Sequence, residues 1–130
     1  MARIKDAVDL DLNFTKHPVT GDIAKISGIE AVKRSVRNLI LLNEGDKPFH
    51  PEISTDTLDS LFDNFDMFTS LDLKEKIERT VSVYEPRVIV EEVKVESSYD
   101  ENKINILVRV GFKNVTSPST IVPITLKRLR

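Results

Sequence analysis

Five apolar side chains at every second position, Ile104, Ile106, Val108, Val110 and Phe112, can share one face only if the backbone is extended. A strand with one buried face requires partner strands and a covering layer, which narrows the choice of fold more than any other feature of the chain. Upstream, Val88 and Val90 share one phase and Val93 and Val95 the other, with Glu91-Glu92 at the slip. A one-residue slip in a two-residue period predicts a β-bulge. Residues 97–102 read as a polar connector, and Thr116-Ser117-Pro118-Ser119 as a turn. In a last strand Val122, Ile124 and Leu126 face one way, Ile121 and Leu129 the other. Pro123 has no N–H, so that strand belongs at an edge. The C-terminal part is therefore an antiparallel meander.

Helices should supply the covering layer. Ser27-Gly28-Ile29-Glu30 has the spacing of a capping box, and Ile26 is placed to staple onto Ala31. Ile29, Val32, Val36, Leu39 and Ile40 form one stripe, while Lys33, Arg34 and Arg37 occupy the rest, in a helix expected to reach about Leu42. Gly45 to Glu52 holds Pro48 and Pro51 and predicts an ordered loop, with Phe49 plugged into the core. Leu58, Leu61, Phe62 and Phe65 suggest a short amphipathic helix punctuated by Asp56, Asp59 and Asp63. A third helix is expected from Thr69 or Ser70, with Asp72 near its positive end, an inward stripe of Leu73, Ile77, Val81 and Tyr84, and a stop at Pro86. Near the start, Val8, Leu10, Leu12 and Phe14 alternate with polar residues, predicting a half-buried, strand-like arm within residues 1–20 that breaks at residues 17–21. The expected architecture is α+β, one domain over residues 1–130, with N-terminal helices packed on a C-terminal antiparallel β-meander. A chain of 130 residues can bury a core of its own.

Chemistry is harder to find. The absence of Cys excludes disulfides, thiolate metal sites and cysteine nucleophiles. The longest apolar run, Leu39 to Leu42, is far too short to span a membrane, and Met1 to Asp6 lacks the apolar stretch of an export signal. His17 and His50 sit in proline loops without a second imidazole at ligand spacing, so no metal is expected. The four glycines are scattered and make no phosphate loop, and no serine sits in a nucleophile elbow. Asp59, Asp63 and Asp66 are best explained as the solvated side of a short helix, with no apolar pocket to raise a pKa. No catalytic residue, cofactor or small-molecule substrate is expected. Net charge is −2, yet residues 1–43 carry +2, residues 44–101 carry −10 and residues 102–130 carry +6, a field suited to orienting a protein among fixed neighbours. With few aromatics and no reading motif, the basic end does not point to nucleic acid. Tyr84-Glu85-Pro86-Arg87 is the unusual word: an acid and a guanidinium flank a rigid proline at a helix-to-strand junction. Arg87 can pair within the chain, pinning the junction, or bidentately with a partner's carboxylate, and the internal bridge is the favoured reading.

Arg34 to Ile40, Gly45, Pro48-Phe49, Pro51-Glu52, Leu61-Phe62 and Tyr84-Glu85-Pro86-Arg87 occur in an order and spacing that resemble the baseplate wedge (gene 25-like) family of contractile-tailed bacteriophages, which has relatives in type VI secretion baseplates. The likeness runs from about residue 22 to the end. It implies a non-enzymatic virion component of the tail baseplate, next to the tail tube, assembled in the host cytoplasm. It further implies that Glu85, Pro86 and Arg87 anchor the chain to a helical core of other wedge subunits. The resemblance also implies that the sheet starts sheath polymerisation by accepting strands of the tail sheath protein, with Ile121, Val122, Ile124 and Leu126 as the candidate pairing strand, or, since Pro123 spoils one donor there, with the opposite edge of the sheet or the other side of this strand. Some members carry a lysozyme label, making a peptidoglycan-cleaving hydrolase the alternative, although the residues give it no mechanical support.

Overall fold

The computed structural model describes residues 8–62, 66–98, 100–113 and 116–128. Expectations for residues 1–7, Asp63, Phe65 and Leu129 lie outside them. In chain order the elements are β1 (Val8–Leu10), β2 (Lys25–Ser27), α1 (Ile29–Ile40), a single 3-10 turn (Asp59–Leu61), α2 (Met67–Tyr84), β3 (Val88–Ser98), β4 (Lys103–Phe112) and β5 (Thr120–Lys127). The fold is α+β, with both helices preceding an antiparallel sheet in the order β3-β4-β5.

The inward faces are those the alternation marks. Ile104, Ile106, Val108, Val110 and Phe112 of β4 pack with Val88 and Val93 of β3 and Val122 and Ile124 of β5. Val32, Val36 and Ile40 of α1 and Leu73, Ile77 and Val81 of α2 close over them. The register of β3 against β4 shifts between Val90 and Glu92, so the bulge falls at Glu91. Gly111 faces it, and a Cβ there would sit 2.7 Å from the Glu91 carboxylate, which accepts a 2.6 Å bond from the Ser119 hydroxyl. Glycine leaves room for that carboxylate to lie across the strand.

Several local expectations are corrected. Ser27 does not cap α1: it pairs opposite Val8 in a two-stranded ladder, and Gly28, at φ 68°, makes the turn from strand into helix. A Cβ on Gly28 would meet nothing, so the requirement is the left-handed backbone rather than space. Phe49 is 96% exposed, because the left-handed turn at φ 66° carries its ring outward, and Ile53 anchors the loop instead. The short amphipathic helix is reduced to its one 3-10 turn. Helix α2 begins at Met67, earlier than the pattern suggests, because the Asp66 carboxylate accepts from the Thr69 N–H at 2.8 Å. Asp66 is thus a cap rather than a solvated helix face, and Asp72 pairs with Lys76 one turn on. Tyr84 is partly exposed, and Thr80 takes a buried place on the inward stripe. β3 absorbs Ser97 and Ser98 from the expected connector.

The N-terminal arm is a hairpin turned over relative to expectation. His17 N–H donates to Asp22 C=O, Ala24 N–H to Thr15 C=O, and Asp11 N–H to Ala24 C=O. Val8, Leu10, Leu12 and Phe14 are all exposed, whereas Asp11 is buried. The arm docks by its polar side because Arg34 Nη1 of α1 meets the Asp11 carboxylate at 2.9 Å. The Thr15 hydroxyl, then Arg34, then the Asn13 amide hold that carboxyl down to about 2.

Candidate functional site: a pinned elbow and an open sheet edge

The junction between α2 and β3 turns about Pro86. Val81 C=O accepts from Glu85 N–H, ending the helix, and Val88 N–H returns to Glu85 C=O as the strand begins. Glu85 is 2% exposed, a charged side chain at the edge of the core. Arg87 closes on it with two bonds, Nε to Oε1 at 2.6 Å and Nη2 to Oε2 at 2.7 Å, and the Ser35 hydroxyl of α1 donates to Oε2 at 2.5 Å. Burial pushes the Glu85 carboxyl up more than any single contact lowers it. Together the Arg87 bonds, the Ser35 bond and the Arg87 charge outweigh burial, and the carboxyl ends below its ordinary value. Arg87 is held up in turn by its bond to Glu85, against desolvation, with help from the charges of Glu85 and Asp9. The elbow is therefore bridged internally, as the favoured reading has it. Nη1 has no acceptor among the described residues, and Val83 and Pro86, on either side of Glu85 in the chain, are exposed.

The second feature is the outer edge of β5. Arg128 N–H donates to Asn102 C=O at 2.8 Å, which fixes the alternation of the ladder above it. Residues 122, 124 and 126 direct their main-chain groups to β4, while Ile121, Pro123, Thr125 and Lys127 direct theirs outward. Pro123 therefore costs β4 no hydrogen bond, and its missing donor falls on the outer row. The side chains of Val122 and Ile124 are buried in the core and Leu126 packs against it, and β4 already takes the main-chain groups of all three, so the outward positions Ile121, Thr125 and Lys127 are what this edge offers a partner strand. Ile121 is exposed on the uncovered sheet face with Ile89 and Leu107.

Beside that edge, Glu30, Lys33, Arg34 and Arg37 follow one another at helical spacing and line a groove of about 420 Å³ with Ile26, Val122 and Pro123. In the sequence Lys33, Arg34 and Arg37 fall off the apolar stripe of α1, and Glu30 belongs to the capping-box pattern. Their spacing marks a common stripe, but nothing in it says that the stripe lies along a strand edge. Ser35, which helps hold Glu85 from 50 residues away, has no sequence signal. No cluster of three or more metal-ligating side chains occurs among the described residues, and no described helix is long and apolar enough to cross a membrane.

A family model described as baseplate wedge protein gp25 matches residues 27–115, which includes the elbow and stops short of β5. The baseplate wedge protein gp25 of Enterobacteria phage T4 is 31% identical over 106 residues, covering 82% of this chain and 79% of that protein. Three solved structures share the fold. A chain in the cryo-EM structure of the anti-feeding prophage baseplate aligns with a TM-score of 0.70 at 21% identity, over 84% of this chain and 87% of that one. A chain of the postcontracted pyocin R2 baseplate gives 0.62 at 18% identity, over 82% and 99%. A putative tail lysozyme from Geobacter sulfurreducens gives 0.62 at 17% identity, over 76% and 91%.

Proposed function

The chain belongs to the family of baseplate wedge protein gp25, and from that premise we propose that it is a structural part of a contractile-tail baseplate that performs no chemistry of its own. In this reading Arg87, Pro86 and Val83 seat against other wedge subunits near the tail tube, and the outer edge of β5 accepts the first strands of the tail sheath. The observation that carries it is the row of main-chain groups on Ile121, Thr125 and Lys127 that has no partner among the described residues and that an extended segment can complete. The elbow supports it too: Glu85 holds the Arg87 fork in one geometry through Nε and Nη2, and the partly exposed guanidinium keeps Nη1 without an acceptor among the described residues.

Two variants test the two surfaces separately. Arg87→Lys keeps a cation for Glu85 but loses the fork, at a cost of about 1 kcal/mol, and should leave a folded chain that fails to enter baseplates. Normal incorporation would remove the anchor. Thr125→Pro deletes an outward donor without removing a main-chain bond to β4, losing on that side only the exposed bond from the Thr125 hydroxyl to Asn105 Oδ1, and should give baseplates whose tubes lack sheath. Normally sheathed tails would remove the edge.

The tail-lysozyme name of one structural neighbour keeps a peptidoglycan hydrolase as the second reading. A glycosidase acid needs a raised pKa, whereas every described carboxylate that shifts, Asp11, Glu52, Asp66, Glu85 and Glu101, shifts downward. Peptidoglycan cleavage by the purified chain, abolished by a single Asp→Asn or Glu→Gln change, would reverse the choice.

A further inference from the structure

We infer that the strand seated on β5 is acidic: an extended segment of a neighbouring protein that bears Asp or Glu at alternate positions on the side facing α1. This rests on the reading of β5 as an accepting edge and specifies what that edge selects. The groove along the edge is walled by Lys33, Arg34 and Arg37 on α1, with Glu30 their single acidic companion. Lys33 is occupied by Glu30 at 3.2 Å and Arg34 by Asp11 at 2.9 Å. Arg37 is exposed and has no ion-pair partner among the described residues. The strands β4 and β5 add Lys103, Arg109 and Lys127 and no acid of their own, although Lys103 is paired with Glu101 and Arg109 with Glu92. At the opposite edge β3 carries Glu91, Glu92 and Glu96 against Lys94, so the two edges of the sheet differ in charge and an acidic strand is turned away from β3. Pro123 leaves one carbonyl of the incoming strand without a backbone donor, and Arg37 brings a guanidinium to the same groove.

The purified full-length chain is titrated with a short peptide alternating Val and Glu, and with its counterpart in which Lys replaces each Glu. NMR follows the amides of Ile121, Thr125 and Lys127. The Glu peptide should bind roughly tenfold more tightly, with shifts concentrated on those three amides. Arg37→Glu, an exposed change that leaves the core alone, should abolish or reverse the preference. Equal affinities, shifts confined to β3, or no binding by either peptide overturns the inference. So does self-association of the chain alone that Arg37→Glu abolishes, because a second copy's acidic β3 edge is then the occupant. In assembled tails, normal sheath on Arg37→Glu baseplates together with its loss on Thr125→Pro baseplates removes this inference and leaves the edge reading standing. Sheath unaffected by Thr125→Pro removes both.

Discussion

Glu85 is where a single side chain governs most. A buried carboxylate is tolerable only while its hydrogen bonds and its counter-charge persist, and here three donors from two side chains supply them. Because its folded pKa lies below the ordinary Glu value, the pair contributes its stability above about pH 4.5 and loses it as pH falls through the folded pKa. Arg87→Ala weakens that dependence. Only the Ser35 bond and the backbone N–H of residue 87 then oppose burial, so the carboxyl is expected to rise and the variant to lose less stability on acidification than the parent chain. The deficit against the parent chain should be on the order of 2 kcal/mol at neutral pH, reduced from a fully buried pair by the partial exposure of Arg87. It should shrink at pH 4, as urea unfolding at the two pH values will show. A deficit independent of pH would mean that Arg87 contributes packing rather than charge.

Among the elements, the strands were legible in the sequence and the joints were not. A two-residue period is a local property that tertiary packing reinforces, so β4 and the bulge in β3 follow from spacing, and the edge position of β5 follows from the missing N–H of Pro123. The arm shows where the same signal fails: Val8, Leu10, Leu12 and Phe14 alternate correctly, yet the period does not say which face docks, and the Asp11 bond to Arg34 reverses it. Capping failed for a related reason, since Ser27 and Asp66 are equally good caps in isolation, and the β1–β2 ladder takes the first. The site was legible as a word, Glu85-Pro86-Arg87, but not as a surface, because its third member and the α1 groove depend on contacts distant in sequence. The bulge offers a test at this scale. Gly111→Ala places a methyl group 2.7 Å from the Glu91 carboxylate and should displace it from Ser119, costing about 1 kcal/mol. In a Glu91→Ala background the same change should cost nothing, or stabilise, since Ala suits a strand better than Gly. A double-mutant cycle with no coupling would mean that Gly111 is present for some other reason.

At the scale of the whole molecule the helices cover one face of the sheet, and much apolar surface remains outward: Ile89, Leu107 and Ile121 on the bare sheet face, and the four side chains of the arm. Surface of this kind is expected where neighbours will cover it, and it leaves the arm held to the body largely by polar contacts. The Asp11–Arg34 pair and the short β2 contact with α1 are then the hinge between a cooperative core and a separately opening hairpin. Arg34→Gln should raise backbone amide exchange in residues 8–15 and 24–27 by roughly tenfold or more while β4 amides, in the middle of the sheet, exchange as before. The pH dependence follows from the depressed Asp11 pKa. Docking is fully present above the ordinary value of 3.8 and is lost as pH falls through about 2, so the parent arm should loosen over that window. Without Arg34 that loosening should be smaller, though the Thr15 and Asn13 bonds preserve part of it. If exchange in β4 accelerates together with the arm, the hairpin belongs to the same cooperative unit as the sheet, and a neighbour that captures the arm in an assembly would then act on the stability of the whole chain.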